Sequence, residues 1–193
     1  MKIKEFCNIK MGYSFRERLV HVPDGDVKVI QPKNISENGV LSFGGENPLK
    51  TDASASKQLK PGDVLLVSRG RFAATVFNLC EPGPWIVPSS IIILSIKDES
   101  VLPEYVALFF NSVNGQNLFR RHGETTTVPF ISVGNLANMD IPVPILKKQR
   151  ALIDYETTNR EYERLSNRKL ELQKQILGHE LTKAEKSINR RNR

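Results

Sequence analysis

The chain has 193 residues, of which 39% are hydrophobic and 25% charged, and it carries a formal net charge of +7. That much apolar material suits one folded domain of ordinary size with an extension, and argues against a disordered chain. It has no apolar run near the ~18 residues that cross a bilayer, and its first residues, MKIKEFCNIK, contain no apolar stretch of a secretory leader. The expectation is a cytoplasmic protein without a membrane partner. The basic excess is spread over both ends of the chain and permits a polyanionic partner without requiring one. Cys7 and Cys80 form no Cys-x-x-Cys pair and have no histidine nearby, so free thiols are expected and a zinc site is not.

In chain order, residues 1–145 read as a mixed α/β (α+β) domain of many short strands. VKVIQPKNI (27–35) is β-branched and ends at a polar turn. GGENPLKTDASASKQLKPGD (44–63) is small, polar and long for a loop. DVLLVSRG (63–70) is a strand closed by Gly70, and FAATVFNL (72–79) can return antiparallel to it. SSIIILSI (89–96) is continuously apolar, as expected of a strand covered on both faces. PEYVALFFNSVNGQNLF (103–119) changes to helical spacing, with Pro103 in the first turn and Asn114-Gly115 interrupting the pattern. Residues 120–144 return to loop and short strands.

From Lys147 the period changes. Ala151, Tyr155, Thr158, Tyr162, Leu165, Lys169, Leu172 and Ile176 recur at alternating steps of four and three, mostly apolar, while the other faces carry Glu, Arg, Asn and Gln. This predicts a helix of roughly 46 Å from Lys147 to Leu177 at 1.5 Å per residue, longer than a domain of this size can cover. Its narrow stripe calls for a partner helix. Tyr155, Tyr162, Leu165, Leu172 and Ile176 are its expected contact residues. Gly178 is expected to end or weaken the helix, giving a spacer over 146–182 and a basic, disordered tail over 183–193.

Catalytic patterns are missing. There is no phosphate-cradling glycine loop, no Gly-x-Ser-x-Gly elbow, and the three histidines are far apart. PDGDVK (23–28) has the residues of a metal-nuclease pattern, but its two halves touch, so Asp24 and Asp26 read as a turn into a strand. What remains is chemistry suited to DNA. Arg69 and Arg71 flank Gly70 at a strand end, where a guanidinium can fork onto guanine or phosphate. Arg120 and Arg121 precede Thr125 and Thr126, Arg16 and Arg18 follow GYSF, and Lys33 and Asn34 sit in the turn after the first β-branched run. Each cluster has an ordinary alternative, a solvated turn or strand residue; together they put cationic and hydroxylic groups on several loops of one domain.

Four stretches resemble a known family. MGYSFRERL (11–19), VIQPKNISENG (29–39), LKPGDVLLVSRGRFA (59–73) and, most specifically, ISVGNLANMDIPVPILKKQRALI (131–153), with its Pro-x-Pro and following glutamine, are similar in order to the specificity subunits of type I restriction–modification systems. The likeness is to a half-length form, one target-recognition domain followed by one spacer helix.

That resemblance implies a non-catalytic DNA-recognition subunit that directs a methyltransferase, with or without a restriction subunit, to a split site in double-stranded DNA. It implies no cofactor on this chain and S-adenosylmethionine on the methyltransferase partner. One domain and one helix imply a homodimer, or pairing with a second half-subunit, through the helix. The competing expectations are an accessory of another phage-defence system and, least favoured, an independent nuclease.

Overall fold

Two runs of apolar residues organise the core because both faces of each are buried. In the computed structural model, which describes residues 1–15, 25–43, 49–51, 58–79, 83–124 and 127–191, they are β4 (Val64–Val67) and β7 (Ile91–Ile96). They pair antiparallel with Leu65 opposite Ile93. β1 (Cys7–Met11) adds to the outer side of β7 and β5 (Ala74–Val76) to the outer side of β4, giving an antiparallel four-stranded sheet ordered β1-β7-β4-β5. Side chains alternate across a strand. Val64, Leu66, Ile92 and Leu94 therefore enter one cluster, with Ile3, Phe6, Phe110 and Phe119, and Leu65, Val67, Ile91 and Ile93 enter another, with Ile30, Ile35, Phe77 and Trp85. The two-sided burial expected of SSIIILSI, and the antiparallel return after DVLLVSRG, are both present.

β2 (Val27–Val29), β3 (Leu49–Thr51) and β6 (Trp85–Ile86) form a second sheet in which β2 pairs antiparallel with β3 and parallel with β6. Tyr13 and Phe15, with ring centroids 4.8 Å apart, pack against its small apolar cluster. Cys7 is buried and free, and burial pushes its thiol up to about 12, while Cys80 lies outside the described residues.

Several elements differ from their expected form. The run 27–35 is a strand only as far as Val29. It continues as a 3-10 turn, Pro32–Asn34, because Pro32 sets a helical φ and supplies no ladder N–H. The helical region 103–119 is two helices, α2 (Pro103–Asn111) and α3 (Val113–His122). They break at Ser112 rather than at Asn114-Gly115, since the Ser112 hydroxyl accepts from the Gly115 N–H and caps α3. Arg120 and Arg121 close α3, where cations complement the helix dipole, and are not on a loop. Two further short helices occur, α1 (Ile3–Phe6) and α4 (Val133–Asn138), the second started by the Ser132 side chain in a stretch expected to be loop and strand.

The last helix, α5, runs from Leu146 to Arg191. It passes through Gly178 and takes in residues expected to form a disordered tail. A glycine costs a helix only ~1 kcal/mol relative to alanine, and propagating an existing helix is far easier than starting one. The chain divides into two compact units, Met1–Arg150 and Ala151–Arg193, so the first turn of α5 belongs to the globular unit. No helix among the described residues is long and apolar enough to cross a membrane.

Gly39 and Gly70 both have a left-handed backbone but differ in the space around them. Gly39 has φ +73° and a Cβ there would collide with the Ala74 carbonyl, whereas Gly70 has φ +77° with nothing nearer than Val128 Cγ1 at 3.9 Å. Gly70→Ala should therefore cost only the left-handed strain, about 1–2 kcal/mol. Gly39→Ala should cost at least ~1 kcal/mol more, because the collision adds overpacking. Urea unfolding of the two variants checks this; equal losses would show that the β5 backbone does not approach Gly39 closely.

Candidate nucleic-acid interface

The sequence Ser68-Arg-Gly-Arg-Phe72 leaves the central strand β4 and joins the expected DNA-binding clusters. Ser68 accepts from the Ile131 N–H (3.0 Å), and the Gly70 N–H donates to the Pro129 carbonyl (2.8 Å). Arg69 is bridged to Phe130. Phe130 is in turn paired with Glu124, whose N–H donates to the Phe130 carbonyl at 2.8 Å. Those two residues close the base of the segment that holds Thr125 and Thr126, both outside the described residues.

Arg69 is exposed, and its guanidinium lies over the Phe130 ring, 5.3 Å from the centroid. A cation over a ring face is attracted to it, and the exposed guanidinium has N–H groups suited to a planar acceptor pair such as guanine O6/N7 or to phosphate oxygens. Phe130 is a residue that the sequence reading missed; only its place in GETTTVPF, beside the threonines, could have suggested it.

Arg71 is directed elsewhere. One of its Nη atoms donates to the Pro32 carbonyl (2.9 Å) and to the Ile35 carbonyl. Asn34 is also occupied inside the fold. Its Oδ1 accepts from the Gln31 N–H (2.9 Å) and its Nδ2 donates to the Ser42 carbonyl (3.3 Å). Lys33, between the two clamped carbonyls, is exposed. Of the four nominated residues in these two turns, Arg69 and Lys33 are therefore presented outward, while Arg71 and Asn34 hold the turns in place.

Phe72 ties in the third cluster. Its carbonyl accepts from Gln116 Nε2 of α3 (2.6 Å), and its ring stacks on Phe119 with centroids 4.9 Å apart. Arg120 and Arg121, directly after Phe119, are exposed, with Arg120 Nη1 donating to Asn117 Oδ1 at 3.0 Å. A cavity of about 300 Å³ is lined by Glu37, Arg71, Phe72, Ala73, Asn111 and Gln116. Asn111 pairs through both atoms of its amide with the backbone of Ala74, at 2.8 and 2.7 Å, and so satisfies the β5 edge. Arg16 and Arg18 lie outside the described residues. Among the described residues no group of three His, Cys, Asp or Glu could hold a metal ion; Asp24 lies outside them, and Asp26 enters β2 directly, as a turn residue would.

Gln149 is a second residue whose role was not read from sequence. It is fully buried, its Nε2 donates to the Ser100 and Pro144 carbonyls (both 2.7 Å), and its Oε1 accepts from the Leu102 N–H (2.9 Å). The Tyr105 hydroxyl donates to the Pro142 carbonyl at 2.6 Å. The Pro-x-Pro segment and the first turn of α5 are thus fastened to the α2 side of the globular unit.

In the second unit, Tyr155, Tyr162, Leu165, Leu172 and Ile176 are all exposed, as are Leu170, Leu177 and Leu181. Ion pairs lie between these positions, Glu156–Arg160 and Glu161–Arg164 at 2.7 Å and Arg168–Glu171 at 3.5 Å. The Arg164 guanidinium beside Glu161 lowers the pKa of that carboxyl.

Known structures share this fold. The chain is similar to a protein solved in a study of complex assembly and conformational transition of the type I R-M system, at 20% identity and a TM-score of 0.62, covering 86% of this chain and 39% of that one. It is also similar to the HsdS subunit from Thermoanaerobacter tengcongensis, at 18% identity and TM-score 0.57, covering 84% of this chain and 37% of that one. A third likeness is to the type I restriction–modification S subunit from M. genitalium, at 16% identity and TM-score 0.54, covering 83% and 38%. This chain therefore spans under two-fifths of the length of each. No curated protein matches it. The model of the type I restriction modification DNA specificity domain matches residues 1–175, and the chain belongs to that family.

Proposed function

We propose that this chain is the DNA-recognition half of a type I restriction–modification specificity subunit, carrying one target-recognition domain and one spacer helix. The observation that carries the reading is the convergence on Ser68–Phe72: one strand-end turn is bonded to the segments that present Lys33, Arg69, Arg120 and Arg121, in a domain of the matching family. The chain itself does no chemistry on this reading. It places a methyltransferase partner, which holds S-adenosylmethionine, on double-stranded DNA, with or without a restriction subunit in the same assembly. A single domain of this kind reads half of a split site. The second half is read by another copy, paired through the exposed stripe of α5, or by a different half-subunit.

Expression with its methyltransferase in a methylation-free host, followed by mapping of every modified base, tests this. A split motif that disappears without this chain is expected. A symmetric motif identifies a two-fold pair of this chain, because site symmetry follows protein symmetry, and an asymmetric one identifies a different second half. No motif, with both proteins folded and associated, would overturn the reading in favour of another defence role. Within a mapped motif, Arg69→Ala should relax preference at a single base position by about 1–3 kcal/mol, whereas Lys33→Ala should weaken all sites uniformly and flatten the salt dependence by about one unit of slope. Unchanged affinity and preference in both variants would show that this face does not meet DNA.

A further inference from the structure

The two arginines around Gly70 reach different elements. Arg69 lies over Phe130, and Arg71 spans to the turn at Pro32–Asn34. Bonds within the following residues hold that turn: Ser42 N–H donates to the Asn34 carbonyl (2.8 Å), Val40 N–H to Ser36 Oγ (3.0 Å), and Gly39 N–H to the Ser36 carbonyl (2.9 Å). The Pro32 carbonyl also accepts from the Ile35 N–H (3.2 Å), the bond that closes the 3-10 turn. One Nη atom of Arg71 donates to the carbonyls of both Pro32 and Ile35, so the guanidinium bridges the start and the end of the segment that carries Lys33.

We propose that Arg71 is a positioning residue for DNA recognition: it makes no DNA contact itself and couples the Lys33 turn to the Arg69 turn, so that the two are presented to DNA in one fixed spacing. This rests on the reading of Lys33 and Arg69 as DNA-facing. Arg71 is half-buried and its bonds go to main-chain carbonyls, which is an internal clamp rather than a solvent-facing contact. Gly70, with φ +77°, lets the chain reverse between the two arginines so that each meets its own element.

The test is a double-mutant cycle read by DNA binding. The full chain with its methyltransferase is titrated against a duplex of about 40 base pairs carrying the mapped motif, as wild type, R71A, K33A, R69A and the pair R71A/K33A. R71A is expected to weaken binding about tenfold, and to do so by less than about twofold in the K33A background, because a clamp acting through Lys33 has nothing left to place. A general loss of fold stability, or a direct DNA contact by Arg71, would leave the two losses additive. If R71A does not fold, R71K, which keeps the charge without the planar fork, replaces it in the same cycle.

Additive losses, or an R71A variant that binds like wild type while K33A is impaired, would overturn the coupling and leave the DNA face intact. K33A and R69A both binding like wild type would overturn the face and the coupling together.

Discussion

Gln149→Leu should lower the stability of the globular unit by about 3–5 kcal/mol. The leucine keeps most of the volume, so the loss isolates the hydrogen bonds. Ser100 and Pro144 lose a donor and Leu102 loses an acceptor; Gln149 itself is fully buried, Pro144 and Leu102 are half-buried and Ser100 is exposed. A backbone group left without a partner inside the fold costs about 1–3 kcal/mol; the Leu102 N–H and the Pro144 carbonyl carry that loss, while exposed Ser100 can bond to water. For a unit of this size each kcal/mol moves the midpoint by ~2–4 °C, so a drop of about 6–20 °C is expected in thermal unfolding. Gln149→Glu should be at least as damaging. Its carboxylate still accepts from Leu102 but faces two carbonyl oxygens with no proton to offer, and it brings a buried charge. A Gln149→Leu midpoint within ~2 °C of wild type would show that these bonds do not hold the start of α5. The glutamine is part of the motif that pointed to the family, and its place in the fold supplies a physical reason for the residue type: only an uncharged side chain with both a donor and an acceptor satisfies two carbonyls and one N–H together.

The second large effect is on self-association. Substituting Leu165→Lys and Leu172→Lys together should abolish pairing through α5, raising the dissociation constant at least a hundredfold. Both leucines are exposed in the single chain, at 53% and 42%, as are Tyr155, Tyr162 and Ile176 on the same stripe. In a two-fold pair each substitution counts twice. Burial of one leucine is worth ~1.5–3 kcal/mol, and tenfold in affinity needs ~1.4 kcal/mol, so even partial burial of four leucines exceeds the threshold. Lysine is a good helix former, so helicity by circular dichroism should hardly change, which separates lost pairing from lost folding. The measurement is sedimentation equilibrium over a concentration series, alone and with the methyltransferase. A wild-type chain that stays single in both states would end the proposal of a homodimer and leave the second half-subunit as the partner of the stripe. The ion pairs between Glu156 and Arg160 and between Glu161 and Arg164 lie off this stripe, and exposed pairs of this kind add only tenths of a kcal/mol to the helix.

Much of the chain was legible because burial leaves local periodicity. The continuous apolar runs at 64–67 and 91–96 are the two central strands, covered on both faces. The steps of four and three after Lys147 mark a helix with a narrow apolar stripe, and Gly70 marks the turn at a strand end. Asp63 has both a local and a distant partner: it accepts the Lys60 N–H at 2.8 Å, closing that turn, and the Ser95 hydroxyl at 2.6 Å. The helix starts at Ser112 and Ser132, each capped by its serine side chain, were not expected from the sequence.

The sequence by itself thus determined the two-part organisation, the central strands, the apolar stripe of the helix and the family, since each depends on residues close together in the chain. It could not distinguish Arg69 from Arg71. The two have the same side chain, flank the same glycine and follow the same strand. Only tertiary structure separates them, because the carbonyls that occupy Arg71 lie 36 and 39 residues away and the ring beneath Arg69 belongs to Phe130. Gln149 is the same case, bonded to Ser100 and Leu102, 49 and 47 residues distant. The physical reason is that a polar side chain takes its role from the partners brought to it, and those partners are set by chain folding over separations that no local pattern records.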